Sequence, residues 1–130
     1  MASRVLGGTK AVRRRMNEIA GLSCEVENNK TTPEIQFRLL KLIYENRKDS
    51  YYSHLIQTMK NTIFHDRLDK YIPSNIVAHK IGNYGAAVND IGIVFTEKPY
   101  IIIIYSENAG GAHEKIAQLS LMIYEEQLKK

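Results

Sequence analysis

The period of the hydrophobic pattern changes near residue 70. Before that point apolar residues recur at the three-to-four spacing that gives a helix one buried face. Val12, Met16, Ile19 and Ala20 form the first such set, with Thr9 in front as an N-cap and Gly21 behind as a left-handed stop. Thr31-Thr32-Pro33-Glu34 is a second start signal. Thr32 caps, Pro33 suits the first helical position, and Glu34 sits at the positive end of the dipole. The helix it opens places Ile35, Leu39, Leu42 and Ile43 on its buried face. A third helical stretch, over residues 51–64, carries Leu55, Met59 and Ile63 at the same spacing.

Beyond residue 70 the runs become short and β-branched: residues 75–80, 90–96 and 100–106. Gly82-Asn83-Tyr84-Gly85 and Glu97-Lys98-Pro99 separate them, and both are compatible with hairpins. The pattern predicts an antiparallel meander of three strands. Its last strand contains Ile101-Ile102-Ile103-Ile104, apolar on both faces, and is expected to lie centrally with cover above and below. Helical spacing returns over residues 112–128, where Ile116, Leu119, Ile123 and Leu128 are available to pack on the sheet. The expected fold is α+β in a single domain over residues 1–130, with a helical part to residue 70 and the sheet plus terminal helix after it.

Composition narrows the function classes. At 130 residues the chain holds one core and not two. With 44% apolar and 25% charged residues it is an ordinary globular composition. The net charge of +4 is scattered, so no nucleic-acid partner is expected. Its densest basic run, Lys10-Ala11-Val12-Arg13-Arg14-Arg15, reads as the solvated face of an amphipathic helix. The single cysteine, Cys24, excludes an internal disulfide or a Cys-based zinc site, and it has no histidine partner motif. His54, His65, His79 and His113 show no i,i+4 pair, so neither a metal site nor a cofactor is expected. No 18-residue apolar run provides a membrane span, and residues 1–5 do not form an export signal.

Motif order adds a resemblance. Val77-Ala78-His79-Lys80-Ile81-Gly82, then Val88-Asn89-Asp90-Ile91-Gly92-Ile93-Val94, then Pro99-Tyr100-Ile101-Ile102-Ile103 resembles the C-terminal half of a class A serine β-lactamase. That group belongs to the penicillin-recognising enzymes, with the D-Ala-D-Ala peptidases as relatives. Leu6-Gly7-Gly8 before one helix and Thr31-Thr32-Pro33-Glu34 before another are similar to the helical part of the same family. The resemblance implies a truncated β-lactamase-like fold and a β-lactam or D-Ala-D-Ala-like ligand, in a family that usually works outside the cytoplasm. It implies substrate-binding roles for four residues. Lys80 takes the Lys of the family's Lys-Thr-Gly strand motif, facing the substrate carboxylate, and Gly82 its Gly. The backbone N–H of Asn83 forms half of an oxyanion hole. Ile81 stands where the family has Thr, which removes a hydroxyl donor and adds bulk.

The family's nucleophile does not appear. Ser3, Ser23, Ser50, Ser53, Ser74, Ser106 and Ser120 all lack a lysine three residues on, so there is no Ser-x-x-Lys, and Ser-Asp-Asn is absent too. Tyr44-Glu45-Asn46 imitates the peptidase Tyr-x-Asn but follows Pro33, out of family order. Glu25 and Glu27 lie near the place of the family's deacylating glutamate, in a segment too short for that loop, and read as exposed loop carboxylates. No catalytic residue is therefore assigned. Losing the nucleophile of a triad-type enzyme costs on the order of 10⁶ in turnover, so the chain is expected to be inactive alone. Two alternatives stand beside this reading: half of a split hydrolase completed by an N-terminal partner, or a non-catalytic binding or assembly module. Truncation also strips the neighbours from the strand running from Tyr100 to Ser106, and that apolar edge is expected to drive homo-oligomerisation.

Overall fold

The structure is a computed structural model that describes residues 2–24 and 30–130. Among the described residues four α-helices, α1 (Ala2–Val5), α2 (Thr9–Ala20), α3 (Pro33–Glu45) and α4 (Ser50–Lys60), and a 3-10 turn (Ser74–Ile76) precede the sheet. Strands β1 (Val77–Tyr84), β2 (Ala87–Val94) and β3 (Tyr100–Glu107) follow, and α5 (Ala112–Leu128) closes the chain. The sheet is an antiparallel meander in the order β1-β2-β3.

Local capping chemistry sets most helix ends. The Thr32 hydroxyl accepts the Ile35 N–H at 3.2 Å with Pro33 next in line, as the sequence predicts. Asp49 caps α4 through the Tyr51 N–H. At the end of α2, Gly21 N–H donates to Glu18 O and Leu22 N–H to Asn17 O, the paired bonds of a Schellman stop. Its start differs from expectation: Thr9 is already helical and Gly8 holds the cap position.

One face of the sheet packs on α5. Leu68, Ile72, Val77, Val94, Ile102 and Ile116 form that core, with Tyr100, Ile104, Leu121 and Tyr124 against it. Strand alternation turns Ala78, Ile93, Ile101 and Ile103 to the other face, where α3 lies over β2 and β3.

Three expectations are corrected by this packing. The isoleucine-rich strand is β3 at the edge of the sheet; the central strand is β2, and of the four isoleucines only Ile102 is fully buried. Helix α4 turns Ile56 inward; Leu55 is exposed, and Ile63 lies beyond the helix end at 84% exposure. On α5 the buried positions are Ala112, Ile116, Ala117 and Ser120, whereas Leu119, Ile123 and Leu128 face outward.

Candidate functional site

β1 and β2 form a two-residue hairpin. Tyr84 pairs with Ala87, and Gly85 in the turn adopts φ 57, the left-handed value such a turn requires. The residue pattern ends the first strand at Lys80 and places the turn over Gly82-Asn83-Tyr84-Gly85; the strand instead runs on to Tyr84, carrying Lys80, Ile81, Gly82 and Asn83 along the ladder opposite Ile91, Asp90, Asn89 and Val88. All four line one cleft of about 790 Å³, and Val12, Arg13 and Met16 of α2 line it too. In a two-residue hairpin the closing pair exchanges both backbone hydrogen bonds and the pairing then alternates. The Phe95 N–H to Ile76 O bond of 2.8 Å at the far end keeps the same parity. Asn83 is thus a non-bonded position whose N–H points away from β2 toward the outer edge of β1. Lys80 is exposed, its ammonium donating to the Ile81 carbonyl at 2.5 Å. Ile81 brings no polar atom to the wall.

On the opposite face the hairpin holds a buried polar network that the sequence did not disclose. His79 and Asp90 are buried, with His79 Nδ1 2.8 Å from Asp90 Oδ2. That same oxygen accepts the Leu68 N–H at 3.2 Å. His79 Nε2 lies 3.4 Å from Asp69 Oδ2, an ion-pair separation without an aligned hydrogen bond, and His65 Nδ1 contacts Asp69 from the solvent side. Burial by itself would depress the His79 pKa, but Asp69 and Asp90 override it and raise the ring to about 9. Burial would likewise raise Asp69; the His79 and His65 imidazoles outweigh it and hold the carboxyl below its usual value.

Gly92, directly opposite His79, makes this packing possible. A Cβ there would stand 2.7 Å from the Ala78 carbonyl oxygen and 2.8 Å from His79 Cβ. Arg67 is buried beside the network, donating to Asn89 O at 2.9 Å and reaching His113 Nε2 at 3.0 Å. The Asn89 side chain accepts the Ser106 N–H, and Ser120 donates to Leu68 O at 2.7 Å. The segment over residues 66–69 is therefore strapped to β2 on one side and α5 on the other.

The profile described as the β-lactamase enzyme family matches residues 2–127. The chain belongs to that family. Among solved structures it is similar to PBP-A at 25% identity, with TM-score 0.79 over 95% of this chain and 53% of that one. A point mutant of PBP-A, solved as an acyl-enzyme complex with penicillin G, gives 24% identity and TM-score 0.81, covering 100% of this chain and 55% of that one. A β-lactamase from Sphaerobacter thermophilus DSM 20745 gives 17% identity and TM-score 0.66 over 87% and 51% of the two chains. This chain therefore spans about half the length of the β-lactamase-type structures it matches. No curated protein matches the sequence.

The remaining sequence candidates take structural places. Tyr44 stacks under Arg47 and tilts against Phe95, while Asn46 caps α3 and donates to Leu42 O. The Cys24 carbonyl accepts from Asn17, and its thiol is free. Glu25 and Glu27 lie outside the described residues. Within the basic run, Arg13 lines the cleft and donates to Lys30 O, so this run contributes to the cleft as well as to the solvated surface.

Proposed function

We propose that this chain is the substrate-positioning half of a β-lactam or D-Ala-D-Ala-peptide hydrolase and does not turn over substrate alone. The observation that carries this reading is the Lys80-to-Asn83 stretch: it lines an open cleft from a free strand edge, with Asn83 N–H directed outward, in a sequence without Ser-x-x-Lys. Lys80, with Arg13 in the same cleft, would attract the ligand carboxylate, Gly82 lets the ligand approach the backbone, and Asn83 N–H would polarise the carbonyl. Ile81 weakens carboxylate orientation because it offers no hydroxyl. Attack on the carbonyl requires a serine from another polypeptide segment. A fluorescent penicillin is the direct test. The purified 130-residue chain should bind it reversibly, lose binding in Lys80→Ala, form no covalent adduct and leave nitrocefin intact. A covalent adduct on this chain would overturn the assignment.

A second reading, assembly through the sheet, rests on a separate observation. Alternation leaves the backbone groups of Ile101, Ile103 and Tyr105 facing out from the β3 edge, and α5, which packs on β3, exposes Leu119, Met122 and Ile123. We infer that a second copy covers this edge. Light scattering on the eluted protein should give the mass of a dimer; a stable monomer at micromolar concentration contradicts it.

A further inference from the structure

We propose that His65, Asp69 and His79 bind a divalent transition-metal ion of the zinc class. The side-chain donor atoms of these three residues all lie within 4.8 Å of one another. His79 Nε2 and Asp69 Oδ1 are buried polar atoms without a hydrogen-bond partner, on residues only 1% and 4% exposed. Groups so buried ordinarily make hydrogen bonds, so two residues that face each other as an ion pair without one mark a place that a shared ion would fit. The 3.4 Å between His79 Nε2 and Asp69 Oδ2 also matches two ligands of a tetrahedral ion. Bonds of about 2.0–2.1 Å at a tetrahedral angle set ligand atoms about 3.3 Å apart.

The surroundings have the form of a metal site. Asp90 accepts from His79 Nδ1 at 2.8 Å, which fixes the ring and points Nε2 toward Asp69, so that an ion bound there takes the place of the Nε2 proton. A carboxylate behind a ligating histidine serves this purpose in metal proteins. The partly exposed His65 reaches the same Asp69 oxygen from the solvent side and would draw back from that contact to ligate, leaving water to complete the coordination. Two imidazoles and one carboxylate suit zinc, with cobalt as a spectroscopic substitute. Strand alternation puts His79 on the face opposite Lys80, so the ion would pin the segment before β1 to the sheet without entering the substrate cleft. This inference is independent of the proposed hydrolase role.

The test uses chelator-stripped full chain titrated with zinc by calorimetry and with cobalt by absorbance. One zinc per chain is expected with a Kd of about 10 µM or tighter, with four-coordinate cobalt bands in the visible and a raised Tm in zinc. His65→Ala, at a partly exposed position, should fold normally and weaken zinc at least about tenfold. His54→Ala, at an exposed position on α4, should not change it. Asp69→Asn, checked by circular dichroism, should abolish the cobalt bands. Binding weaker than the stated Kd, or a His65→Ala affinity equal to that of His54→Ala, would overturn the site and leave the cluster as an ion-pair network.

Discussion

Asp90→Asn isolates the charge in the buried network, because it keeps the side-chain volume and leaves an oxygen to accept from Leu68 N–H and His79 Nδ1–H. The His79 pKa rises from an ordinary 6.5 to about 9. At about 1.4 kcal/mol per pH unit that rise is worth about 3 kcal/mol to the folded state. Asp69 and Asp90 share it, so the Asn variant should lose about 2 kcal/mol. A raised pKa stabilises fully below the unfolded value and is lost as pH climbs through the folded one. The deficit relative to wild type is therefore largest at pH 6 and gone by about pH 10. Asp90→Ala adds the cost of an unsatisfied buried N–H at Leu68, about 1–3 kcal/mol, at every pH. Urea unfolding of EDTA-treated protein, followed by circular dichroism at pH 6, 8 and 10, reads both differences. An Asn deficit of equal size at pH 6 and pH 10 would refute the reasoning, since it would mean that His79 is neutral in the folded protein.

Other expectations follow from single contacts. Gly92→Ala should cost about 2–3 kcal/mol, because its Cβ meets the backbone of Ala78 and Cβ of His79 inside 3 Å; an unchanged urea midpoint would show that β1 gives way freely. Thr32→Ala should cost about 1 kcal/mol by removing the cap on the Ile35 N–H, with Thr32→Ser close to neutral in the same assay. Ile102→Lys buries an unpaired ammonium against α5 and should abolish the cooperative transition. Met122→Lys, on the outward side of α5, should leave the fold intact and weaken self-association in light scattering.

Where information was local, the sequence was legible. Thr32 with Pro33, Gly21, and the limits of α5 are readable because capping and helical spacing act within a few residues. Choosing the inward side of a wide apolar stripe is not a local matter. Leu39, Leu40, Leu42 and Ile43 all qualify on α3, yet Leu40 is the one fully buried, because the direction of the sheet decides. Leu119 and Ile123 face outward for the same reason: α5 meets the sheet along Ile116 and Ser120, one step around the helix. The end of the first strand is not legible because Gly82 and Gly85 are both turn-compatible by composition, and only the positive φ of Gly85 in the fold shows which one turns the chain.

The buried network was hidden for a different reason, and its exposure changes what the motifs mean. His79 and Asp90 are neighbours only in the register set by the turn at Gly85, where His79 faces Gly92 and Asp90 falls on the adjacent diagonal of the same face. A two-residue error in the turn dissolves the pairing on paper. Once the register is known, each position of Asn89-Asp90-x-Gly92 has a structural task. Asn89 ties Ser106 and Arg67 to β2, Asp90 holds Leu68 and His79, and Gly92 admits the close approach of β1. The motif that carries much of the family resemblance is therefore architectural: Asp90 and Gly92 lie on the face away from Lys80, while Asn89, on the cleft side, spends its backbone carbonyl and side-chain oxygen on Arg67 and Ser106. Sequence similarity through this motif reports that the sheet is built in the family manner. It does not by itself report the family's chemistry: in the proposed reading that falls to Lys80, Ile81 and Asn83 on the cleft wall, where Ile stands in place of the Thr of the motif that the sequence resembles.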